Sequence, residues 1–144
     1  AVKTNIDSFV FTWEDLYNSD KVLDVLKRYD CHFIVLAGFL WKIPANILNS
    51  YPERIVNIHP ALLPKYGGKG MYGMNVHKTV ISQGESVSGI TIHMVNEEYD
   101  KGSIVSQHTC DIKADDTPES LAERIHKLEH YWYPRVIEKL LDAG

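Results

Sequence analysis

Hydrophobic residues recur at two different spacings along this chain, at every second residue in some segments and at every third or fourth residue in others. The first spacing predicts strands and the second predicts helices, and the two kinds of segment alternate. Residues 8–11 form a short β-prone stretch, and Thr12 after them can cap a helical turn through residues 13–16. Apolar side chains at positions 22, 23, 26 and 29 then fall on one side of a short amphipathic helix, which Asp30 ends. The first thirty residues therefore predict one strand and two short helices.

An almost uninterrupted apolar stretch at residues 32–38 predicts a central parallel strand that is covered on both faces. Gly38 lets the chain turn out of this strand. Pro44 suits the first turn of a short helix, after which residues 54–58 supply the next strand. A strand, a helix and a strand in this order predict a β-α-β unit with a right-handed crossover.

The second half of the chain predicts two long strands that pair with each other. Residues 76–81 carry a helical repeat that ends near Gly84. Apolar and polar positions then alternate over residues 88–95 and again over residues 104–112. A turn at residues 100–102 separates these two segments, so we expect an antiparallel extension of the sheet.

The last predicted helix begins at Thr117, a helix-capping residue, with Pro118 as its first helical residue. Apolar side chains at positions 121, 125, 128 and 132 give this helix a buried stripe. Pro134 is expected to kink or interrupt it, because proline has no N–H to donate within a helix. The alternation of helices and strands predicts an α/β fold.

Composition limits the number of domains and the kinds of partner. The chain has 144 residues, 44% of them hydrophobic, and contains no repeat or linker, so residues 1–144 are predicted to form a single domain. The net charge of -4 and the dispersed Lys and Arg residues disfavour nucleic acid and membranes, and no apolar run is long enough to span a bilayer. Cys31 and Cys110 lack metal-site and disulfide spacing, which favours reduced thiols and a cytoplasmic location.

The strand at residues 54–58 leads into the most informative motif of the chain, Asn57-Ile58-His59-Pro60. Asn57 and His59 alternate with Ile58 on an extended strand, so their side chains point to the same side. An amide and an imidazole together can polarise a carbonyl and move a proton near neutral pH, which favours acyl or one-carbon transfer. In the alternative interpretation, the two side chains only fasten the Pro-rich loop that follows.

Residues 57–73, from the Asn-Ile-His-Pro motif through a Lys-Tyr-Gly-Gly segment, resemble the glycinamide ribonucleotide transformylases, the folate-dependent formyltransferases of purine biosynthesis. The resemblance covers nearly the whole chain and continues at residues 35–39, 88–93, 100–102, 128–130 and 133–134. It implies the formyltransferase fold, a mostly parallel Rossmann-like sheet with helices on both faces and an antiparallel extension. It also implies transfer of a formyl group from 10-formyltetrahydrofolate to the amine of glycinamide ribonucleotide, without a metal.

The resemblance implies a catalytic set of Asn57, His59 and Asp100. The Asn57 amide would donate a hydrogen bond to the formyl oxygen as negative charge develops there. His59 would add positive charge and relay a proton from the attacking amine to the folate nitrogen that leaves. Asp100 would orient the imidazole and favour its charged form. Taken alone, an Asp just before Gly102 is also a common turn residue.

Two further regions carry over from the family. The folate-binding loop would consist of Leu40, Trp41, Lys42 and Ile43, together with Asn57, although this segment also suits a plain strand-to-helix connection. Glu129 would contact the glycinamide substrate, although an isolated Glu on a helix is ordinarily just solvated. Related enzymes that hydrolyse formyltetrahydrofolate or formylate other acceptors are the nearest alternatives.

The family begins with a strand and a Gly-Ser-rich loop that hold the substrate phosphate, and no segment of this sequence resembles them. The resemblance therefore implies an N-terminally incomplete domain, with the strand at residues 32–38 at an open edge of the sheet. We expect such a chain to be weakly active or inactive alone, and to be poorly stable or to associate with another chain, a homo-oligomer included. A non-catalytic folate-binding fragment is the remaining alternative.

Overall fold

The computed structural model describes residues 5–97 and 101–144, in which helices and strands alternate. In chain order the elements are α1 (Trp13–Tyr17), α2 (Lys21–Arg28), β1 (Ile34–Val35), α3 (Ala45–Ser50), β2 (Ile55–His59), α4 (Met74–Ser82), β3 (Val87–Met94), β4 (Ile104–Asp111) and α5 (Pro118–Ala143). The predicted α/β class is therefore confirmed. The predicted turn at residues 100–102 lies partly outside the described residues.

The described strands form one mixed sheet in the order β1-β2-β3-β4. β1 and β2 are connected by α3 and pair in parallel, as the predicted β-α-β unit requires. β3 is antiparallel to both β2 and β4, which confirms the predicted antiparallel extension. Parallel pairing in this part of the sheet is limited to β1 and β2, because each parallel pair needs a crossover whereas antiparallel strands need only a turn.

The chain before α1 differs from the sequence-based prediction. Residues 8–11 form no strand, and Val10 is 91% exposed. Their β-prone side chains do not suffice, because a strand also needs a neighbouring strand to accept its hydrogen bonds. The cap at Thr12 is confirmed: its Oγ1 accepts from the Asp15 N–H at 3.1 Å, and the Asp15 carboxylate accepts from the Thr12 N–H at 3.0 Å.

β1 is shorter and more exposed than the apolar stretch at residues 32–38 predicts. Only Ile34 and Val35 pair with β2, and Val35 is 42% exposed. β1 lies at one edge of the described strands, as the resemblance to an N-terminally incomplete domain implies, and not in the central, doubly covered position that its apolar pattern favours. A hydrophobic stretch is buried on both faces only where the layers on each side of the sheet cover it.

The side chains of β2 alternate between two hydrophobic cores on opposite faces of the sheet. Ile55 packs with Leu16 of α1 and Leu23 of α2. Val56 packs on the other face with Ile92 of β3 and Tyr133 of α5. Helices therefore cover both faces, as predicted, and β2 is held between them.

α5 begins as predicted and continues further than predicted. The Thr117 Oγ1 accepts from the Ser120 N–H at 3.1 Å, and Leu121 and Ile125 are fully buried. Pro134 does not interrupt the helix, which runs without a break to Ala143. Core contacts on both sides of Pro134, through Tyr133 and the residues at 136, 137 and 140, hold the helix together despite the lost hydrogen bond. No helix in the described part of the chain is long and apolar enough to cross a membrane.

A glycine sets the distance between β3, β4 and the loop after β2. A Cβ atom at Gly89 would lie 2.1 Å from the backbone oxygen of His108 and 2.7 Å from a methyl carbon of Leu62. Both distances are far below van der Waals contact. Gly89 therefore allows β4 and Leu62 to approach β3 more closely than any side chain would permit.

Candidate active site

A cleft of about 810 Å³ opens where the parallel strands β1 and β2 end. Its walls come from residues 36–43 after β1, residues 57–60 at the end of β2, residues 68–73 before α4, and α5. Crevices beyond the carboxyl ends of parallel strands are the usual ligand sites of α/β sheets. The position of the cleft therefore follows from the β-α-β unit.

Asn57 and His59 both line this cleft. Asn57 is half-buried and His59 is 4% exposed. The His59 Nε2 donates to the backbone oxygen of Tyr66 at 2.7 Å, which fixes the plane of the imidazole. The structure therefore brings an amide and an oriented imidazole to one wall, as the alternation of residues predicts, and their catalytic role stays a prediction.

Four histidines that line the cleft were not among the predicted site residues: His77, His93, His126 and His130. His93 on β3 lies opposite Asn57 in the strand register, so their side chains are neighbours on the same face of the sheet. His77 on α4 is 2% exposed and also lines the cleft. Strand pairing and burial identify His93 and His77, and a single sequence reveals neither directly.

The electrostatic surroundings of His77 favour its neutral form. Burial is the main cause that lowers the pKa of this imidazole, and the neighbouring charges of His126 and His59 lower it further. Its Nδ1 is buried and makes no hydrogen bond within the described residues. A protonated His77 would therefore be poorly accommodated in the folded chain.

We expect acid to destabilise the chain through His77. Since the folded-state pKa lies below the ordinary 6.5, the unfolded chain binds more protons at His77. This contribution to stability is complete above about pH 6.5 and is lost as the pH falls through the lowered pKa. Urea unfolding at several pH values should show a smaller dependence on pH for His77→Gln. The exposed His32 offers a control, because His32→Gln should keep the wild-type slope.

The loop at residues 40–43 forms one rim of the cleft. The Tyr17 hydroxyl donates to the backbone oxygen of Lys42 and so ties the loop to α1. The rings of Phe39 and Trp41 pack edge to face with their centroids 6.2 Å apart, and Trp41 remains 41% exposed. An exposed indole on this rim suits a flat ring.

Glu129 lies on the α5 wall of the cleft and is half-buried. Burial raises its pKa, while the positive potential of His126 and His130 opposes that effect. No group of three or more His, Cys, Asp or Glu side chains in the described residues is arranged to hold a metal ion. The last predicted catalytic residue, Asp100, lies outside the described residues.

One buried hydroxyl joins α5 to the strands beneath the cleft. The Tyr133 hydroxyl donates to the backbone oxygen of Leu36 at 2.6 Å and lies 3.2 Å from that of Val56. Burial raises the pKa of this phenol far above its usual range, so the hydroxyl remains a donor. The Tyr133 hydroxyl oxygen therefore links α5 to the end of β1 and to β2.

Replacing Tyr133 with Phe is expected to destabilise the fold by about 1–3 kcal/mol, because the buried oxygen of Leu36 would lose its donor. Chemical unfolding monitored by fluorescence measures this difference. Tyr131 on the same helix is 52% exposed, so Tyr131→Phe is the matched control and should change stability little. Equal stability of the two variants would contradict the bridging role of Tyr133.

Several curated relatives of this chain are named phosphoribosylglycinamide formyltransferase. A phosphoribosylglycinamide formyltransferase of Arabidopsis thaliana, named as chloroplastic, is 49% identical over 85% of this chain and 42% of its own length. The phosphoribosylglycinamide formyltransferase of Bacillus subtilis is 38% identical over 95% of this chain and 70% of its own length. The chain thus spans about two-fifths of the plant relative.

Solved structures agree with these relatives. Glycinamide ribonucleotide transformylase 1 of Geobacillus kaustophilus superposes with a TM-score of 0.86 at 36% identity, over 97% of this chain and 74% of that one. The phosphoribosylglycinamide formyltransferase of Streptococcus pneumoniae gives a TM-score of 0.86 at 29% identity, over 97% of this chain and 77% of that one. The family model described as formyl transferase matches residues 3–137. The chain therefore belongs to the formyl transferase family.

Proposed function

We propose that this chain serves the transfer of a formyl group from 10-formyltetrahydrofolate to the amine of glycinamide ribonucleotide. The observation that carries the proposal is the presence of Asn57 and His59 on one wall of the cleft, at the end of β2. Family membership supports the reaction class, and the names of the relatives support this acceptor. Because the plant relative is much longer, the activity of the whole protein is part of the proposal.

Formyl transfer exchanges one carbon–nitrogen bond for another. The acceptor nitrogen forms a bond to the formyl carbon, and the bond from that carbon to the folate nitrogen breaks. Negative charge develops on the formyl oxygen during this exchange, and the Asn57 amide would donate a hydrogen bond to it. The attacking amine loses one proton and the folate nitrogen gains one, so an imidazole such as His59 would pass the proton between them.

The carboxylate partner of His59 remains a proposal. Asp100 would fill this role, on the resemblance alone, by favouring the charged imidazole and holding its orientation. The described part of the site already contributes one orienting contact, the bond from His59 to the Tyr66 oxygen.

For the folate we propose residues 40–43 together with Asn57. The backbone of Lys42 and Ile43 would pair with the polar edge of the pterin, while Leu40 and Trp41 would flank its faces; all four residues line the cleft. We propose that Glu129 contacts the amine of glycinamide ribonucleotide. A half-buried carboxylate whose pKa is raised by burial gains more from a cationic partner than an exposed one.

The proposed ligands are small molecules, and the proposal needs no nucleic acid, membrane or metal. Association into a homo-oligomer and a cytoplasmic location both stay predictions. One relative, from Arabidopsis thaliana, is named as chloroplastic.

Two measurements on the 144-residue chain test the proposed function. In the first, 10-formyltetrahydrofolate labelled with ¹³C in the formyl group is incubated with glycinamide ribonucleotide, and the labelled product is sought by mass spectrometry. In the second, a folate analogue is titrated calorimetrically. Acceptor-dependent transfer, or folate binding that Asn57→Ala weakens, supports the proposal.

No binding of the folate analogue, together with no labelled product, would overturn the proposed function. Release of labelled formate without the acceptor would also overturn it, because water would then be the acceptor and the chain would be a hydrolase. Asn49→Ala is a suitable control variant, since Asn49 lies on α3 and is exposed outside the cleft. It should leave both measurements unchanged.

A further inference from the structure

Two separate sets of contacts in the described residues fasten the loop between β2 and α4, residues 60–73, to the rest of the fold. In the first set, the Thr91 Oγ1 donates to the Ala61 oxygen at 2.7 Å and accepts from the Leu63 N–H at 3.0 Å. The Gln107 Nε2 adds a bond of 2.9 Å to the Leu63 oxygen. These bonds hold the first residues of the loop but do not reach the group that contacts His59.

The second set of contacts is centred on Glu85, which follows α4. The Tyr66 hydroxyl donates to the Glu85 Oε1 at 2.7 Å, and the Lys65 Nζ lies 3.3 Å from the same oxygen. The backbone oxygen of Tyr66 accepts the bond from the His59 Nε2 at 2.7 Å. Tyr66 therefore joins the half-buried carboxylate of Glu85 to the imidazole of the candidate active site, through its hydroxyl on one side and its backbone oxygen on the other.

The backbone of Tyr66 needs this support. Its φ of +58° lies in the left-handed region, which a bulky non-glycine residue rarely adopts and which costs of order 1 kcal/mol or more. The direction of the Tyr66 oxygen depends on this conformation. The bond to Glu85 is charge-assisted, and it lowers the pKa of Glu85 and raises that of Tyr66.

A backbone oxygen can only accept a hydrogen bond. While it lies against the His59 Nε2, that nitrogen carries a proton, so the oxygen selects one tautomer of the neutral ring. The selected tautomer decides which ring nitrogen can exchange a proton with a ligand in the cleft. The position of the Tyr66 backbone oxygen therefore determines which ring nitrogen of His59 carries the proton.

We propose that Glu85 is a positioning residue of the candidate active site, which holds Tyr66 in its left-handed conformation so that the Tyr66 oxygen keeps a proton on the Nε2 of His59. The importance of this proton for catalysis rests on the proposed formyl transfer. The structural part of the proposal does not depend on it, because the tautomer exists without substrate.

Nitrogen-15 NMR of the histidine side chains in the full chain tests the proposal, at a pH where the His59 ring is neutral. The wild type should show the Nε2–H tautomer, whereas Glu85→Ala and Tyr66→Phe should each give a mixture with the Nδ1–H tautomer. The double variant should show no larger change than either single variant, because both remove the same bond. Glu85→Gln should restore part of the wild-type pattern, since its amide oxygen can still accept.

Lys65→Met is the matched control, because it removes the other partner of Glu85 and keeps the bond to Tyr66. It should leave the His59 tautomer unchanged. A wild-type tautomer in both Glu85→Ala and Tyr66→Phe would overturn the proposal, as would an equal change in Lys65→Met. Circular dichroism of each variant shows whether the fold is kept, and Glu85→Gln gives a second test if Glu85→Ala does not fold.

Turnover separates this proposal from the proposed function. Where formyl transfer is measurable, Glu85→Ala should lower kcat about tenfold with little change in the KM for folate. Absence of any transfer in the wild type would count against the proposed function and would leave the tautomer result to decide the role of Glu85. Normal kcat in a variant with an altered tautomer would overturn the catalytic part of the proposal.

Discussion

Replacing His59 with Ala is expected to lower the rate of formyl transfer by about 10²- to 10⁴-fold, which is the usual contribution of a positioned proton-transfer group. The affinity for a folate analogue should change little, because the proposed folate contacts come from residues 40–43 and Asn57. Single-turnover rates with labelled 10-formyltetrahydrofolate, combined with calorimetric titration of the analogue, measure the two effects separately.

His32→Ala is the control for this experiment, since His32 is exposed and lies outside the cleft. Its rate and folate affinity should match those of the wild type. If His59→Ala lost rate and affinity in equal measure, the residue would act in ligand positioning, because a group that acts only in the transition state changes kcat without changing ground-state binding.

Gly89→Ala should severely destabilise the fold, at or above the upper end of the about 1–3 kcal/mol that overpacking ordinarily costs. The added methyl group would overlap the His108 backbone oxygen at 2.1 Å, and a backbone atom in a paired strand cannot turn aside as a side chain can. Relief requires β4 to separate from β3 and Leu62 to leave its position. Thermal unfolding monitored by circular dichroism measures the loss.

The neighbouring residue provides the control. Ser88 is also buried on β3, and its hydroxyl makes no hydrogen bond within the described residues. Ser88→Ala removes that unsatisfied group and should leave stability unchanged or slightly higher. A Gly89→Ala protein as stable as Ser88→Ala would show that the strands can separate locally at little cost.

Features of the fold that depend only on residues close together in the sequence were predictable. The caps at Thr12 and Thr117 are local hydrogen-bond patterns, and both are present. The strand predicted at residues 8–11 and the length of β1 depend on partner strands and covering layers, which periodicity does not report. Pro134 shows the same limit, since packing on both sides of it outweighs a local preference.

The candidate site divides in a similar way. Asn57 and His59 follow from alternation along a single strand, whereas residues 40–43 and Glu129 came from the family resemblance and lie in the same cleft. His77 and His93 require a tertiary structure, because one enters through the packing of α4 and the other through the register of β3 with β2. Burial and cross-strand pairing depend on residues far apart in the sequence, so no short motif identifies these residues.

The hydroxyl of Tyr133 has a consequence for how the cleft adapts to its ligands. Since this atom bonds to the end of β1 and lies against β2, α5 cannot slide outward without breaking a buried hydrogen bond. β1 and β2 beneath the cleft are therefore expected to move together with α5, which forms its helical wall. Adjustment to ligands of different size therefore depends on the two loops that border the cleft, residues 40–43 and 68–73. Selectivity among folate analogues should change with the sequence of these loops rather than with that of β1 and β2.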